Sequence, residues 1–457
     1  MKRIMLRSCL ALLCLTVGVR CSGSNPLQDD TDDAHPFAVA KSSSVSQDQT
    51  PVDETMLEAQ AQSNNRFAVD LFHQMLEPDQ NTFLSPYSVS AALAMAAAGA
   101  QGSIARQMRE ALGVTLEGDD FHAALNGLGR SISSHAAQTD GVELAVVNSA
   151  WAQQDWSFRA AYLDRIARYY GAGVNLVDFR GMPDRTRVLI NDWVSEQTRE
   201  RIQDLLPEGS VTPLTRLVLT NAIYFLGEWQ YQFDPALTRE RPFYLLTEVK
   251  VQVREPWGRF DGQVNEYDKL ERVMVQVPMM TLYEHRGAAL PWARQEHVQV
   301  LELPYRGDRL TMTLLLPDTG HYREFEATLT AERIDAAMAA LRPTRLSPVQ
   351  VPKFTFNTGS VSLRQGLQAL GMQDAFEPGL ADFSGIDGTR ELYVCDVVHQ
   401  AFIAVDEAGT EAAAATGATM PVVERPPHFI ADRPFVFLIR DTQTNTILFI
   451  GRVLDPR

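Results

Sequence analysis

Cysteine is scarce in this chain of 457 residues, which contains only four. Cys9, Cys14 and Cys21 lie near the start, so Cys395 has no distant partner if that start is removed on export. A fold held together by several disulfides is therefore excluded. With 45% hydrophobic residues, the chain is long enough to rely on a large buried core instead.

Basic charge is also in deficit. The 41 Lys and Arg residues are outnumbered by 57 Asp and Glu residues, which gives a net charge of −16. Proteins that bind nucleic acids usually carry a basic stripe, and no such stripe is present here. The composition therefore predicts a soluble protein with weak affinity for polyanions and no nucleic-acid partner.

The common catalytic and metal-binding motifs are missing. There is no glycine-rich phosphate loop, no His-Glu-x-x-His pair and no Gly-x-Ser-x-Gly nucleophile motif, so a hydrolase has no positive support. Cys395 and His399 are four residues apart, but residues 391–398 read as a strand, where such positions lie too far apart to share one ion. We predict no metal, no cofactor and no enzymatic activity.

An apolar run at the start is too short to cross a bilayer. It covers Ser8–Val19 and follows basic residues, so residues 1–21 are predicted to be an export signal. Cys21 stands where a bacterial lipoprotein signal has its acylated cysteine, but Arg20 occupies a position that needs a small residue. We therefore expect secretion or periplasmic export, with lipid anchoring through Cys21 disfavoured.

Residues 22–56 are rich in Ser, Asp, Gln and Pro and are predicted to be a disordered linker. The chain from 57 to 457 shows no repeat and no second linker, so we predict one domain. Helical periodicity dominates its first half, and strand patterns follow. The sequence thus predicts an α+β fold with large, mainly antiparallel sheets and surrounding helices. The predicted helices cover 64–76, 88–100, 103–112 and 185–198; the predicted strands cover 143–152, 216–225, 310–316, 350–356, 391–398, 400–405, 435–439 and 446–453.

One segment between two predicted strands is unusual. From Ala408 to Thr419 it lacks bulky side chains, yet it is not a Gly/Ser linker. A flexible surface loop is the simplest interpretation, but small residues that tolerate β-structure would also allow this segment to enter a sheet. In a strand, side chains alternate between faces, so Glu411 would lie opposite a set of small residues. That set is Thr410, Ala412, Ala414, Thr416 and Ala418.

Six stretches between residue 57 and the end carry motifs in a consistent order: Asn81–Ser90, Ile190–Thr198, Leu219–Trp229, Val397–Thr410, Pro434–Phe437 and Phe449–Val453. Together they resemble the motifs of the serpin family. The resemblance implies the serpin fold, with a reactive loop at about 408–427 exposed as bait. It also implies inhibition of a serine protease, in which the cleaved loop becomes a new strand and the acyl-enzyme is trapped.

The resemblance also locates the reactive bond. Val423 is the seventeenth residue counted from Glu407, which is the usual spacing between the hinge glutamate and the cleaved bond. Pro426 and Pro427 stand where related inhibitors have prolines after that bond. These two anchors predict cleavage between Val423 and Glu424, and a β-branched aliphatic residue before the bond suits an elastase-like protease.

Three other bonds compete with this assignment. Cleavage after Met420 or Arg425 is disfavoured because a proline follows each of them. Cleavage after Glu424 by a Glu-specific protease stays open as an alternative.

Other functional residues follow from the same resemblance. Trp229 would lie where the loop enters the sheet, and a polar cluster beneath the sheet would hold it closed yet let it part. Non-inhibitory serpins often lack a small-residue hinge, and this chain has one. The hinge residues are Glu407, Gly409, Thr410, Glu411, Ala412, Ala413, Ala414 and Ala415; the cluster residues are Ser85, Ser88, Asn221 and His399.

The prediction is therefore a monomeric serine-type endopeptidase inhibitor that forms a covalent complex with its target. The alternative is a non-inhibitory serpin that acts as a carrier or folding helper. Residues 113–143, where some serpins bind glycosaminoglycans, have Arg130 as their only Lys or Arg, so we predict no glycosaminoglycan partner. Residues 247–272 resemble no serpin segment and are predicted to be an inserted surface hairpin or loop.

Overall fold

Three β-sheets, with helices packed around them, organise residues Ala38–Arg457. The computed structural model describes residues 37–256, 264–283, 289–409 and 426–457, with the backbone alone described for 248–256 and 264–271. The predicted export signal, 1–21, lies outside the described residues. No helix in the described part of the chain is long and apolar enough to cross a membrane.

The helices are concentrated in the first half of the chain. Two further single turns of 3-10 helix cover Pro235–Leu237 and Asp374–Phe376. The α-helices are α1 (Glu54–Gln74), α2 (Pro86–Ala97), α3 (Gly102–Ala111), α4 (Gly118–Gln138), α5 (Ala160–Tyr170), α6 (Pro183–Gln197), α7 (Tyr322–Ala327), α8 (Ala331–Ala340), α9 (Arg364–Ala369) and α10 (Ser384–Asp387).

The strands are distributed along the whole described chain. They are β1 (Ala38–Ala40), β2 (Thr82–Leu84), β3 (Val142–Gln153), β4 (Val174–Val177), β5 (Leu217–Gly227), β6 (Arg239–Pro256), β7 (Val264–Leu282), β8 (Leu290–Gln295), β9 (Val298–Pro304), β10 (Leu310–Pro317), β11 (Arg342–Thr344), β12 (Val349–Pro352), β13 (Phe354–Asn357), β14 (Val361–Ser362), β15 (Asp396–Val405), β16 (Phe429–Ile430), β17 (Phe435–Asp441) and β18 (Thr446–Val453).

The strands form three sheets. Sheet I has the order β1-β4-β3-β5-β15-β13, with β14 also paired to β15. Sheet II has the order β11-β8-β9-β10-β17-β18-β2, and sheet III has the order β16-β12-β7-β6. Most neighbours are antiparallel, but β3 with β4, β5 with β15, and β12 with β16 are parallel. The expected α+β class with large, mainly antiparallel sheets is confirmed.

Helix α2 lies between sheets I and II and contacts β3, β5 and β18. It begins at Pro86, two residues before the predicted range 88–100, because the Ser85 side chain accepts a hydrogen bond from the Ser88 amide and proline is favoured in the first turn. Its alanines, such as Ala92 and Ala94, are fully buried. Small side chains let the two sheets approach this helix closely.

Three of the predicted strands are divided differently in the structure. The single strand expected at 350–356 is two strands, β12 and β13, which belong to different sheets and are separated by Lys353. The two strands expected at 391–398 and 400–405 are one strand, β15, which begins only at Asp396. Before it, the Val394 amide donates to Ala375 O, so the backbone there pairs with the 3-10 turn and not with a strand.

Helix α1 begins well before the predicted start at residue 64. Asp53 caps it, with Oδ1 accepting from the Thr55 amide at 2.9 Å. The polar first turns of α1 gave no apolar periodicity, so the linker was predicted to extend over them.

Residues 38–56, the end of the segment predicted to be a disordered linker, make defined contacts in the structure. Strand β1 pairs with β4 at the edge of sheet I. Ser42 Oγ donates to Asp164 Oδ1 at 2.6 Å, and the Asp48 amide donates to Arg168 O at 2.7 Å. Hydrogen bonds to α5 thus order a segment that has few apolar residues of its own.

Arg130 of α4 fixes the same segment. Its Nη1 donates to Asp48 O at 2.7 Å and its Nη2 donates to Gln49 O at 2.9 Å. The only basic residue of 113–143 is thus engaged with backbone carbonyls.

Strands β6 and β7 continue as a long hairpin through the residues predicted to be an insertion. Their pairing runs from Glu248 opposite Arg272 to Pro256 opposite Val264. The register shifts between Tyr244 and Glu248, which marks an irregularity at the base of the hairpin.

We expect Arg130→Ala to release the segment that precedes α1, because it removes a charged donor from backbone carbonyls. The variant should be less stable by about 1–2 kcal/mol and should be cut faster by proteases within residues 41–52. Arg106→Ala on α3, where the arginine makes only a long contact with Glu110 at 3.9 Å, is the control. Equal proteolysis of both variants would contradict the assigned role of Arg130.

Candidate functional site

A hydrogen bond between two side chains crosses the parallel pair β5–β15 in the middle of sheet I. Asn221 and His399 are directly opposite each other in this pair. His399 Nδ1 lies 2.5 Å from Asn221 Oδ1, and both residues are at most 1% exposed. The two strands are therefore joined across this seam by side chains as well as by backbone.

The tautomer of His399 follows from its other partner. The backbone N–H of Ser85 donates to His399 Nε2 at 3.2 Å, so Nε2 carries no proton. Nδ1 therefore carries the proton and donates to Asn221. Burial lowers the pKa of His399 to about 3, so the ring is neutral near pH 7.

The remaining predicted cluster residues lie in direct contact with this pair. Asn221 Nδ2 donates to Ser88 Oγ and to Asn148 Oδ1. Ser85 Oγ donates to Leu448 O of β18 at 2.7 Å. The structure thus brings Ser85, Ser88, Asn221 and His399 together and links α2, sheet I and sheet II through them.

Asn148 is a member that the sequence analysis missed. It lies on β3 directly opposite Asn221. Asparagine is disfavoured inside strands, so its presence in β3 was a signal for a polar role, but only the register of β3 against β5 places it beside Asn221.

Towards the C-terminal end of β15, this strand no longer pairs with β5. Pairing between β5 and β15 stops at Tyr224 opposite Phe402. The last residues of β15, Ile403 to Val405, pair only with β13. The chain then turns at Asp406–Gly409, where the Asp406 amide donates to Gly409 O at 3.0 Å.

Trp229 holds this turn against the end of β5. Its indole Nε1 donates to Asp406 O at 2.9 Å, and its backbone amide donates to Ala408 O at 2.8 Å. The ring stacks on Tyr305 with centroids 4.5 Å apart. Trp229 therefore lies at the point from which the predicted reactive loop starts.

Gly409 is required by the close approach of two backbones. It has φ +124°, and a Cβ at this position would lie 2.1 Å from Gly227 O. Any larger residue would clash with the end of β5 and would need an unfavourable backbone angle.

Glu407, the predicted hinge glutamate, is anchored at both carboxylate oxygens. Oε1 accepts from Thr238 Oγ1 at 2.7 Å, and Oε2 accepts from Lys353 Nζ at 2.6 Å. Burial acts to raise the pKa of this carboxyl, but the bonds from Lys353 and Thr238 outweigh it and leave the pKa below its usual value. Sequence reasoning did not find Lys353 or Thr238, because they are far from Glu407 along the chain.

The rest of the predicted reactive loop lies outside the described residues. This applies to the predicted bond between Val423 and Glu424. It also applies to six hinge residues, namely Thr410, Glu411, Ala412, Ala413, Ala414 and Ala415.

A comparison with models of known protein families gives a match over most of the chain. A family model described as "Serpin (serine protease inhibitor)" matches residues 62–456. The chain belongs to the serpin family. The serpin fold and the family implied by the sequence motifs are thereby confirmed.

Serpin relatives occur in distant organisms. A serpin-like protein of Thermococcus kodakarensis is 37% identical over 86% of this chain and 85% of its own length. The leukocyte elastase inhibitor of Bos taurus is 36% identical over 88% of this chain and all of its own length. The family includes inhibitors of serine proteases, and this serpin matches such relatives along most of its length.

Solved serpin structures show the same architecture. The native state of Tengpin, a thermophilic serpin, superposes with a TM-score of 0.73 over 91% of this chain, at 27% identity. A second serpin, described as tumour suppressing, gives the same TM-score at 22% identity and supports the fold alone.

The buried imidazole predicts a loss of stability in acid. Because the pKa of His399 in the folded chain, about 3, is below the ordinary 6.5, the unfolded chain binds the proton first. The stabilisation is complete above about pH 6.5 and is lost as the pH falls towards 3; at pH 5 the loss is about 2 kcal/mol. Denaturant unfolding at pH 7.5 and 5.0 measures this loss.

His399→Gln is the control, because it has no titratable ring. It should unfold more easily at both pH values but should lose less stability between them than the wild type. An identical pH dependence in both proteins, or an imidazole that titrates near pH 6.5 by NMR, would show that His399 is not the group responsible.

Proposed function

We propose that this serpin inhibits a serine protease as a suicide substrate. The observation that carries the proposal is the junction between β15 and the loop. Strand β15 is joined to β5 by backbone pairing and by one buried polar cluster. It leads, through the turn at Asp406–Gly409, into a run of small residues. Such a run can enter the sheet between β5 and β15 without burying a bulky or charged group.

The proposed reaction is acyl transfer followed by trapping. The serine hydroxyl of the protease attacks the carbonyl carbon of Val423. The bond to the nitrogen of Glu424 breaks, that nitrogen takes up a proton, and Val423 becomes an ester of the protease serine. Insertion of the freed loop then moves the protease away before water hydrolyses the ester.

Insertion after cleavage would complete sheet I. Residues 409–423 would span about 50 Å as a strand. Their backbone hydrogen bonds and their buried side chains would stabilise the inserted state, and the lost entropy of the loop would oppose it. The uncleaved state would then be kept by a kinetic barrier. The cluster around Asn221 and His399 is the proposed part of that barrier.

We propose an elastase-like target. Val423 before the bond is the support for it, and the relatives that are named leukocyte elastase inhibitor are consistent with it. A Glu-specific protease that cuts after Glu424 is the alternative target. A carrier or folding helper is the alternative function, and the small-residue hinge argues against it.

We also propose that the inhibitor is monomeric and that it is exported from the cell. Support for export comes from the apolar run at Ser8–Val19 with its basic start.

The test of the function is incubation with a panel of serine proteases, followed by a denaturing gel and mass spectrometry. An inhibitor gives a band at the summed mass of serpin and protease that survives denaturation. A carrier gives only cleavage or no reaction.

The alternation of side chains in the loop gives a sharper prediction. Thr410→Arg should convert the inhibitor into a substrate, because its charge would have to enter the buried face of sheet I. The number of inhibitor molecules consumed per protease should rise at least several-fold. Glu411→Arg is the matched control, since this residue would lie on the solvent face and should leave the stoichiometry unchanged. If Thr410→Arg traps protease as efficiently as Glu411→Arg, the loop does not insert in the proposed register.

The released peptide identifies the bond. After reaction with an elastase-like protease it should begin at Glu424, and Val423→Arg should shift inhibition towards trypsin-like enzymes. A peptide beginning at Arg425 would instead assign the bond one residue later and indicate a Glu-specific target. Any other start would show that the family spacing from Glu407 does not apply to this loop.

A further inference from the structure

Sheet III carries a cluster at the base of the long hairpin, formed by the half-buried Tyr244 and Arg272 and the exposed Met274, which we call the hairpin-base patch. Tyr244 and Met274 are directly opposite each other in the β6–β7 pair. The Arg272 guanidinium carbon lies 5.1 Å from the centroid of the Tyr244 ring. Met274 is 56% exposed, which is unusual for a large apolar side chain in a strand.

The core does not account for this cluster. The opposite face of the same strands supplies the buried residues, including Phe243 and Val277, which are at most 1% exposed. The pairing of β6 with β7 shifts its register between Tyr244 and Glu248, next to this cluster. Irregularities of the β-bulge kind are over-represented beside functional sites.

The patch is tied to the segment that follows the reactive loop. The Tyr244 amide donates to Asp432 O at 2.8 Å. Asp432 is two residues after the end of β16, the strand through which the chain re-enters sheet III beyond the loop. The patch therefore has a fixed position relative to the end of the loop.

A protease bound at the predicted bond would be large enough to reach the patch. Glu424 and Asp432 are eight residues apart, so their separation is at most about 28 Å. A protease domain of about 220 residues has a radius of gyration of about 17 Å, and its surface extends further than that. Glu424 is two residues before Pro426, where the described chain resumes and leads into β16 of sheet III, so a protease bound at this bond would lie beside that sheet.

The chemistry of the patch is that of a protein interface. Tyrosine, methionine and arginine are enriched at such interfaces, and tyrosine and arginine often supply much of the binding energy. The contact between Arg272 and the Tyr244 ring restrains both side chains before binding, which reduces the entropy lost on association. The guanidinium would pair with an acidic or carbonyl group on the partner.

We propose that the hairpin-base patch is a second docking surface for the target protease. It would contact that enzyme outside its active site in the encounter complex, before the loop is cleaved. This inference rests on the proposed inhibitory function and extends it to specificity, since proteases with the same preference at the cut bond would be distinguished by this surface.

The test compares association rates. Tyr244→Ala, Met274→Ala and Arg272→Gln are assayed against pancreatic elastase, or against whichever panel protease the wild type traps fastest. Each should lower the second-order rate of inhibition about fivefold to twentyfold, as expected for residues central to an interface. The stoichiometry of inhibition and the unfolding temperature should stay at wild-type values.

Met182→Ala is the matched control. This methionine is 46% exposed at the start of α6, on a different part of the molecule, and its loss should leave the rate unchanged.

The outcomes separate the two proposals. If the wild type forms a gel-stable complex but the three patch variants react at the wild-type rate, the docking surface is overturned and the inhibitory function stands. If the wild type traps no protease, both proposals fail. A rise in stoichiometry without a fall in rate would place the defect in loop insertion and overturn the docking role. Dimerisation of the wild type that Met274→Ala abolishes would assign the patch to self-association instead.

Discussion

The contact between His399 and Asn221 is the constraint on which sheet I depends. It connects the two strands between which a loop would have to enter, and it does so inside the core, where neither side chain can find water as a substitute partner. The amide of Ser85 fixes the tautomer, and Ser88 and Asn148 satisfy the other end of Asn221. Separation of β5 from β15 at this point would break all of these hydrogen bonds together, so we expect the two strands to separate cooperatively.

Where β15 no longer pairs with β5, a different set of contacts holds the two strands in place. There, backbone groups of the turn at Asp406–Gly409 and the indole of Trp229 occupy the space that strand pairing leaves open. Glu407 is held from two directions, by Thr238 on one side and Lys353 on the other. The sheet is thus held in its middle by side chains and restrained at its end by the turn at Asp406–Gly409.

The sequence alone predicted the elements whose signals are local. Helix α2 is marked by Ser85 and Pro86, and strand β18 was predicted with the bounds that the structure has, because its apolar run is continuous and a turn precedes it. The division of 350–356 into two strands could not be predicted in this way. Lys353 interrupts the run to reach Glu407, a partner that only the folded chain brings near.

Polar contacts account for most of the other differences. Residues 38–53 have too few apolar side chains to predict order, but carbonyl and amide groups there find partners on α4 and α5. The cluster at Asn221 was identified by family resemblance, whereas Asn148 follows only from the register of β3 against β5. Hydrogen bonds between distant residues leave no periodic pattern in a sequence, whereas the burial of one face of a helix or strand does.

The direction of β5 relative to β15 has a thermodynamic consequence of its own. These neighbours run the same way, and parallel pairs are slightly less stable per residue than antiparallel ones. A segment that leaves β15, doubles back and lies between the two would run opposite to both. One parallel ladder would be exchanged for two antiparallel ladders, so part of the driving force for the proposed rearrangement would come from the strand order of the uncleaved sheet.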